Sequence, residues 1–143
     1  MTTHTLAQSA RTSSLLTCGT LASATYITSS AIDLGATIPL FITLQAECNA
    51  NGTPSGNKQL VIFVKWSLDG TNYTSGPESG TTATEEADLH WAGTLPCVDT
   101  NDHRKEFIVY PKARYMKIVA KNDLGVALTS GEVYRSDWTG ASA

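Results

Sequence analysis

The stretch that most constrains the fold covers residues 60–73 (LVIFVKWSLDGTNY), which begin as an apolar run and end in a turn at Asp69-Gly70. Successive side chains of a strand point to opposite faces, so alternate residues share a face. One predicted face is apolar throughout and consists of Leu60, Ile62, Val64, Trp66 and Leu68. The other starts with two apolar side chains and ends with two polar ones, Val61, Phe63, Lys65 and Ser67. This pattern predicts a central strand that emerges from between two layers and enters a hairpin.

Short segments of the same kind recur along the chain, separated by turns rich in Gly, Pro and Asn. The clearest alternation covers residues 38–47, where one face consists of Ile38, Leu40, Ile42, Leu44 and Ala46. Further strands are predicted within residues 24–35, 88–94, 106–110, 114–121, 126–128 and 132–138. No segment has the period of an amphipathic helix of normal length. About eight short strands without crossover helices predict an all-β protein, a single antiparallel β-sandwich that is jelly-roll-like.

The N-terminal residues differ from the rest of the chain. Residues 1–18 are rich in Thr, Ser and Ala and show no period, which predicts an extended or disordered arm. A chain of 143 residues suffices for one core, so residues 19–143 are predicted to form a single sandwich domain. Leu15 and Leu16 leave two roles open, because they can dock the arm on a neighbouring subunit or cover an edge of the chain's own core.

Charge and hydropathy argue against two classes of partner. The formal net charge is -3, the pI is near 5.5, and no basic cluster is longer than residues 103–105. Nucleic-acid-binding domains usually carry a basic stripe, so we expect no nucleic-acid partner. No apolar run approaches the roughly 20 residues of a spanning helix, so we expect no membrane partner. The N-terminus lacks the basic and apolar regions of a signal peptide, which predicts folding in the cytosol of the producing cell.

The three cysteines predict no framework of disulfides or metal ligands. Cys18, Cys48 and Cys97 are odd in number, widely spaced and form no CxxC motif. In a reducing compartment such residues are free thiols, and we expect at least two of them to be buried as small apolar side chains.

Acidic residues and a histidine form the best candidate for chemistry. Glu86, Asp88 and His90 alternate, so on a strand they would share one face and could share a divalent ion. A solvated strand face opposite Leu89 and Trp91 is the interpretation that we favour, because this spacing is common by chance. The sequence contains no GxSxG, GxGxxG or GxxxxGK[ST] motif. We therefore predict no catalytic, cofactor-binding or metal-ligating residue, and no cofactor.

Aromatic residues leave two kinds of contact open. Trp66 and Trp91 share predicted strand faces with aliphatic residues, which favours the core for both. Tyr73 follows a turn and Trp138 lies near the C-terminus, so these two are predicted to be exposed. Exposed aromatic side chains can stack on sugar rings or anchor protein interfaces.

Two motifs resemble those of known virion proteins. Residues 66–73 (WSLDGTNY) resemble the S-x-D-G-x-x-[WYF] hairpin of discoidin-like and other β-sandwich modules of bacteriophage virion proteins. Residues 113–118 (ARYMKI) resemble the A-R-Y-[VM]-[KR]-[IV] strand that often follows it. With residues 75–77, 86–95, 103–107 and 121–128, which look like small tailed-phage structural proteins, the resemblance covers roughly residues 58–128.

The resemblance implies a non-enzymatic structural protein of a tailed-bacteriophage virion, made in the host cytoplasm. The favoured role is a capsid decoration or cement protein, and a neck, collar or tail-attached subunit is the alternative. Its expected partners are further copies of itself, in a homo-oligomer, and other virion proteins such as the major capsid protein. The resemblance transfers no catalytic or ligand-binding residue. A glycan-binding β-sandwich module is the alternative from another class, although the ligand loop of sugar-binding discoidin domains has no match in this sequence.

Overall fold

The computed structural model describes residues 3–142 and contains ten strands and one short 3-10 helix, Glu86–Asp88. The strands are β1 (His4–Gln8), β2 (Leu16–Thr17), β3 (Tyr26–Thr28), β4 (Ile32–Asp33), β5 (Phe41–Ala50), β6 (Gln59–Ser67), β7 (His90–Pro96), β8 (His103–Val109), β9 (Tyr115–Asp123) and β10 (Leu128–Ser142). All pairings are antiparallel. The predicted all-β sandwich is confirmed, with ten strands where the sequence predicts about eight, because two of the ten are only two residues long.

The strands form two sheets of five. Sheet A has the order β1-β10-β5-β8, with β2 also paired to β10, and sheet B has the order β3-β9-β6-β7, with β4 also paired to β9. The last strands therefore lie between early ones, since β10 separates β2 from β5 and β9 separates β3 from β6. This interleaving is the strand order of a jelly roll. Within residues 3–142 no helix is long and apolar enough to cross a bilayer.

The main core lies between the two sheets and follows the predicted alternation. Strand β5 contributes Ile42, Leu44 and Ala46, none of which has any exposed area. Strands β6 and β9 face them with fully or almost fully buried side chains: Leu60, Ile62, Val64, Trp66, Met116, Ile118 and Ala120. Since burying a large aliphatic side chain stabilises a fold by roughly 1.5–3 kcal/mol, these alternating residues supply most of the driving force for closing the sandwich.

The predicted start of β5 is wrong. Ile38 and Leu40 were expected on the core face, but both are exposed and the strand begins at Phe41. Pairing with β10 starts at Phe41 and Trp138, and Pro39 has no N–H with which to extend the ladder. The strand also continues beyond Glu47 to Ala50, so Cys48 lies inside it.

The predicted end of β6 is wrong for Leu68 as well. The strand ends at Ser67, and the Leu68 side chain is 87% exposed. Ser67 closes the strand because its hydroxyl accepts a hydrogen bond from the Gly70 N–H at 2.9 Å and donates to Asp69 at 2.9 Å. Asp69 then accepts from the backbone N–H groups of Thr71 and Asn72, both at 2.8 Å. The S-x-D-G motif is therefore the chemistry of this turn.

The outward face of sheet B is covered by the long loop of residues 68–89. Val61 and Phe63 on β6 lie in a second buried cluster with Tyr26, Leu89 and Val119. The polar end of this β6 face is buried too, with Lys65 only 4% exposed. The Lys65 ammonium donates to the Gly76 carbonyl at 3.1 Å and to the Glu78 carboxylate at 2.8 Å, which ties the loop to the sheet.

The predicted arm lies along β10 over the part that the structure describes. Strands β1 and β2 pair with β10, and between them Ser9 and Thr12 donate backbone hydrogen bonds to Asp137 and Arg135. Leu16 is buried in the main core, whereas all five residues of β1 are exposed. Leu16 therefore covers the chain's own core, which is one of the two roles that the sequence left open for Leu15 and Leu16.

Strand β7 begins later than predicted. The sequence predicts a strand at residues 88–94 with Leu89 and Trp91 on one face, but Glu86–Asp88 form the 3-10 helix and β7 covers His90–Pro96. The register with β6 shifts between Ile62 and Phe63, opposite Gly93 and Trp91. The bulge reverses the facing within β7, because Leu95 points into the core whereas Trp91 pairs with Phe63 on the outward face of sheet B and is 65% exposed. The prediction that Trp91 belongs to the core is wrong.

Candidate functional site

Aromatic side chains cross one end of the molecule, from β10 over β5 and β8 to β7. We call Trp138, Phe41, Tyr110 and Trp91 the aromatic belt. The Phe41 ring stacks on Trp138 with centroids 5.3 Å apart and meets Tyr110 at 6.1 Å in a tilted arrangement. Tyr110 is 70% exposed, and it lines a cleft together with Trp91. Solvent-exposed aromatic groups in one patch are typical of surfaces that bind a partner or a ligand.

Strand register explains how distant residues form the belt. Phe41 is the direct partner of Trp138 on β10. Ile42 pairs with Val109 on β8, which places Tyr110, one residue further, beside Phe41. Ile42 and Val109 point into the sandwich, so Phe41 and Tyr110 point outward, as alternation requires. The Trp138 indole N–H donates to the Thr43 hydroxyl at 3.0 Å, which fixes the ring over Phe41.

The cleft lies where the edges of the two sheets meet, between β7 and β8, and has a volume of about 210 Å³. Its lining residues are Val64, Trp66, His90, Trp91, Ala92, Ile108, Val109, Tyr110 and Lys112. None of these lining residues is a carboxylate, and the basic ones are His90 and Lys112. Burial, reinforced by nearby Lys112, lowers the pKa of His90, so the imidazole is uncharged at neutral pH. The cleft therefore offers apolar and aromatic walls with one cation at the rim.

Apolar side chains continue the belt towards the free edge of sheet A. Leu6 on β1 pairs with Gly140, which has the same facing as Trp138 two residues earlier. Leu40 lies 3.4 Å from the position that a Cβ at Gly140 would occupy. Both leucines are more than half exposed. Exposed apolar groups therefore extend across sheet A at this end of the molecule.

The other end of the same sheet face is charged. Glu47 on β5 pairs with Arg104 on β8 at 2.7 Å and with Arg11 of the arm at 3.3 Å. The Arg11 guanidinium also lies over the Tyr134 ring, 3.9 Å from its centroid. These groups satisfy one another in the folded chain, so the charged end offers fewer unpaired groups to a partner than the belt does.

The three candidate metal ligands do not form a site. Glu86 lies in the 3-10 helix and binds the Lys121 ammonium at 2.8 Å, whereas His90 faces the cleft. The strand that would align Glu86, Asp88 and His90 does not exist at these residues. Across residues 3–142, no group of three His, Cys, Asp or Glu side chains is arranged to hold a metal ion.

The predicted exposed aromatic residues have different surroundings. Trp138 is half-buried and belongs to the belt. Tyr73 is also half-buried, forms a bridge with Ser67 and has its hydroxyl buried in the turn, with the Lys117 ammonium 4.6 Å from its ring centroid. Tyr73 is therefore part of the turn and not an open contact surface. Trp66 is in the core as predicted.

All three cysteines are free and buried, as the sequence predicts. Burial raises the pKa of Cys18 to about 12 and raises the pKa values of Cys48 and Cys97 as well. None of the three is a thiolate at neutral pH, so none has the form that nucleophilic attack requires.

The sequence placed Trp91 in the core and did not single out Tyr110 from the other aromatic residues that could stack on a sugar ring if exposed, yet these two are the most exposed members of the belt. Alternation within residues 106–110 could have found Tyr110, because Phe107 and Val109 point inward and Tyr110 must then point outward. No comparable signal exists for Trp91, because its facing depends on the bulge.

Comparison with known proteins leaves the chain unassigned. No family model matches the sequence, and no curated protein is significantly similar to it.

Proposed function

We propose that this protein is a non-enzymatic structural subunit of a tailed-bacteriophage virion that binds neighbouring virion proteins through the aromatic belt. The favoured role is decoration of the capsid, where added contacts between shell subunits would stabilise the particle by mass action. A neck, collar or tail position uses the same surface and differs in stoichiometry. The exposed aromatic belt on a closed sandwich is the observation that carries the proposal.

Two further features support a contact role. The belt combines Trp and Tyr side chains, which contribute most to binding energy in protein interfaces. They lie on strands of a packed sandwich or directly at a strand end, so little conformational entropy is lost when a partner covers them. The virion setting comes from the resemblance of residues 66–73 and 113–118 to motifs of virion proteins.

The test is incorporation into particles. Virions are purified by density gradient from cells that produce this protein, and each variant is measured by mass spectrometry relative to the major capsid protein. We expect Trp91→Ala combined with Tyr110→Ala to lower the copy number at least tenfold. Both side chains are more than 60% exposed, so the variant should keep its thermal midpoint.

The matched control is Val98→Ala. Val98 is an exposed apolar residue beyond the end of β7 that lies away from Trp91, so its loss should leave incorporation unchanged. Absence of the wild-type chain from purified particles would refute the virion role. Equal incorporation of the double variant would refute the belt as the contact surface.

A glycan-binding module is the second candidate, favoured by one observation. Trp91 and Tyr110 flank a cleft whose only rim cation is Lys112, an arrangement that can stack a sugar ring and bind an acidic substituent. A glycan array that includes sialylated and uronic-acid glycans tests it. Binding that is lost in Trp91→Ala but kept in Tyr73→Ala would support this function, and silence of the wild-type protein across the array would refute it.

A further inference from the structure

The sheet edges within residues 3–142 differ in how they are protected from pairing with another chain. Strand β8 carries three consecutive charged residues, 104–106. Strand β7 contains a bulge and ends at Pro96, and the Phe107 side chain from β8 lies against Gly93. Strands β3 and β4 are three and two residues long, and Tyr26 donates its N–H to Gly80 of the covering loop at 2.9 Å. Charges, bulges, proline, short length and covering loops are the devices that block edge pairing.

Strand β1 has none of these devices. Its sequence, HTLAQ, contains no proline and no Asp, Glu, Lys or Arg. Its five residues pair with residues 138–142 of β10 without a register shift, so the strand is regular. All five are exposed. Strand β1 is therefore a regular, uncharged and open edge.

The backbone groups that face away from β10 can be assigned. The Ser9 N–H donates to the Asp137 carbonyl at 2.9 Å, and hydrogen-bonded residues alternate along an antiparallel strand. Thr5 and Ala7 are therefore the residues of β1 that bond to β10. The N–H and C=O groups of His4, Leu6 and Gln8 point away from the sheet, and no strand within residues 3–142 lies beside them.

We propose that this edge pairs with β1 of a second copy of the chain, antiparallel and with a two-fold axis at Leu6. His4 and Gln8 lie symmetrically about Leu6, so the free groups of one copy match those of the other in a closed, isologous contact. Leu6 then pairs with Leu6 of the second copy, and each His4 pairs with the opposite Gln8.

The free edge of β1 is continuous with the aromatic belt, and this favours a second copy of the chain as the molecule that pairs with the edge. The Leu6 side chain lies on the same sheet face as Trp138. A two-fold axis perpendicular to the sheet places both copies of this face on one side, with the two Leu6 side chains adjacent. The apolar surfaces of the two copies then join into one stripe. This inference stands apart from the virion proposal, since it requires only copies of this chain.

Sedimentation velocity on the full chain at micromolar concentration tests the proposal. The wild-type protein should have twice the monomer mass of 15.2 kDa. Leu6→Pro removes an N–H that points away from β10, so the ladder to β10 stays intact and the dimer should be lost. Leu6→Ala is the matched control, because it keeps the N–H, and it should remain largely dimeric.

A cysteine cross-link provides the second readout. Cys18, Cys48 and Cys97 are all buried, so Leu6→Cys introduces an accessible thiol that should form a disulfide between copies under mild oxidation. Ser13→Cys, in the exposed arm outside β1, should not. A monomeric wild-type protein, an undiminished dimer in Leu6→Pro, or equal cross-linking of both cysteine variants would overturn the proposal. If Leu6→Pro fails to fold by circular dichroism, the cysteine pair decides the outcome.

Discussion

The outward faces of the two sheets differ in how far the chain covers them, although both belong to the same sandwich. The outward face of sheet B is covered by the loop of residues 68–89, which buries Phe63 and ties Lys65 to Glu78. Among the residues that the structure describes, no such loop covers the outward face of sheet A, and its aromatic residues at one end are half-buried or exposed. A face that the chain covers itself contributes to stability, whereas an uncovered aromatic face is available to another molecule.

Substitution of one phenylalanine on each outward face tests this difference, and we expect it to give the largest effect on the free energy of unfolding. Phe63 is buried under the loop on sheet B, whereas Phe41 is half-buried on the open face of sheet A. Phe63→Ala should lower the free energy of unfolding by about 3–5 kcal/mol, because it leaves a cavity. Phe41→Ala should lower it by less, about 1–2 kcal/mol, since part of the side chain is already in water.

Urea unfolding followed by Trp fluorescence measures both variants against wild type. Equal losses of stability in the two variants would mean that the two faces do not differ as described. A loss of Phe41→Ala from virions, with its fold intact, would extend the contrast from stability to assembly.

The ion pair that holds the loop should show a smaller, pH-dependent effect. The hydrogen bond from Lys65 lowers the pKa of Glu78 below its ordinary value of 4.5. A carboxyl group with a lowered pKa in the folded state stabilises the fold above its unfolded pKa, and this stabilisation disappears as the pH falls through the folded pKa. Glu78→Gln should therefore lower the thermal midpoint at neutral pH.

The difference between Glu78→Gln and wild type should shrink below pH 4.5, since the wild-type carboxylate becomes protonated there. Thermal melts across this pH range measure it. Glu106→Gln, on the open face of sheet A, is the matched control and should leave the midpoint nearly unchanged. If the thermal midpoints of Glu78→Gln and wild type differed by the same amount at every pH, the charge of Glu78 would not be what holds the loop to Lys65.

The sequence predicts the difference between the faces in part. Strand β5 alternates, which indicates one buried face and one open face, and β6 is apolar on both faces at its start, which indicates burial on both. The covering loop itself could not be predicted, because Lys65 meets Gly76 and Glu78 only after the loop folds back over the sheet. A lysine at the end of a strand face is far more often solvated.

The belt was the least predictable part. Trp138 was expected to be exposed, and its facing follows from its pairing with Phe41. The facing of Trp91 depends on the bulge in β7, which no residue pattern predicts. The 3-10 helix before β7 also moves the start of this strand. Tyr73 was expected at a contact surface, but the turn that its own motif forms holds its hydroxyl in a buried position.

Hydroxyl-radical footprinting with mass spectrometry, on the free protein and on purified virions, tests the contact role of the aromatic belt most directly. Trp91 and Tyr110 are highly exposed in the isolated chain, and so is Leu68, which lies in the turn after β6. The belt as a contact surface predicts that oxidation of Trp91 and Tyr110 falls several-fold in the particle while oxidation of Leu68 is unchanged. Equal oxidation of Trp91 and Tyr110 in both states would contradict it.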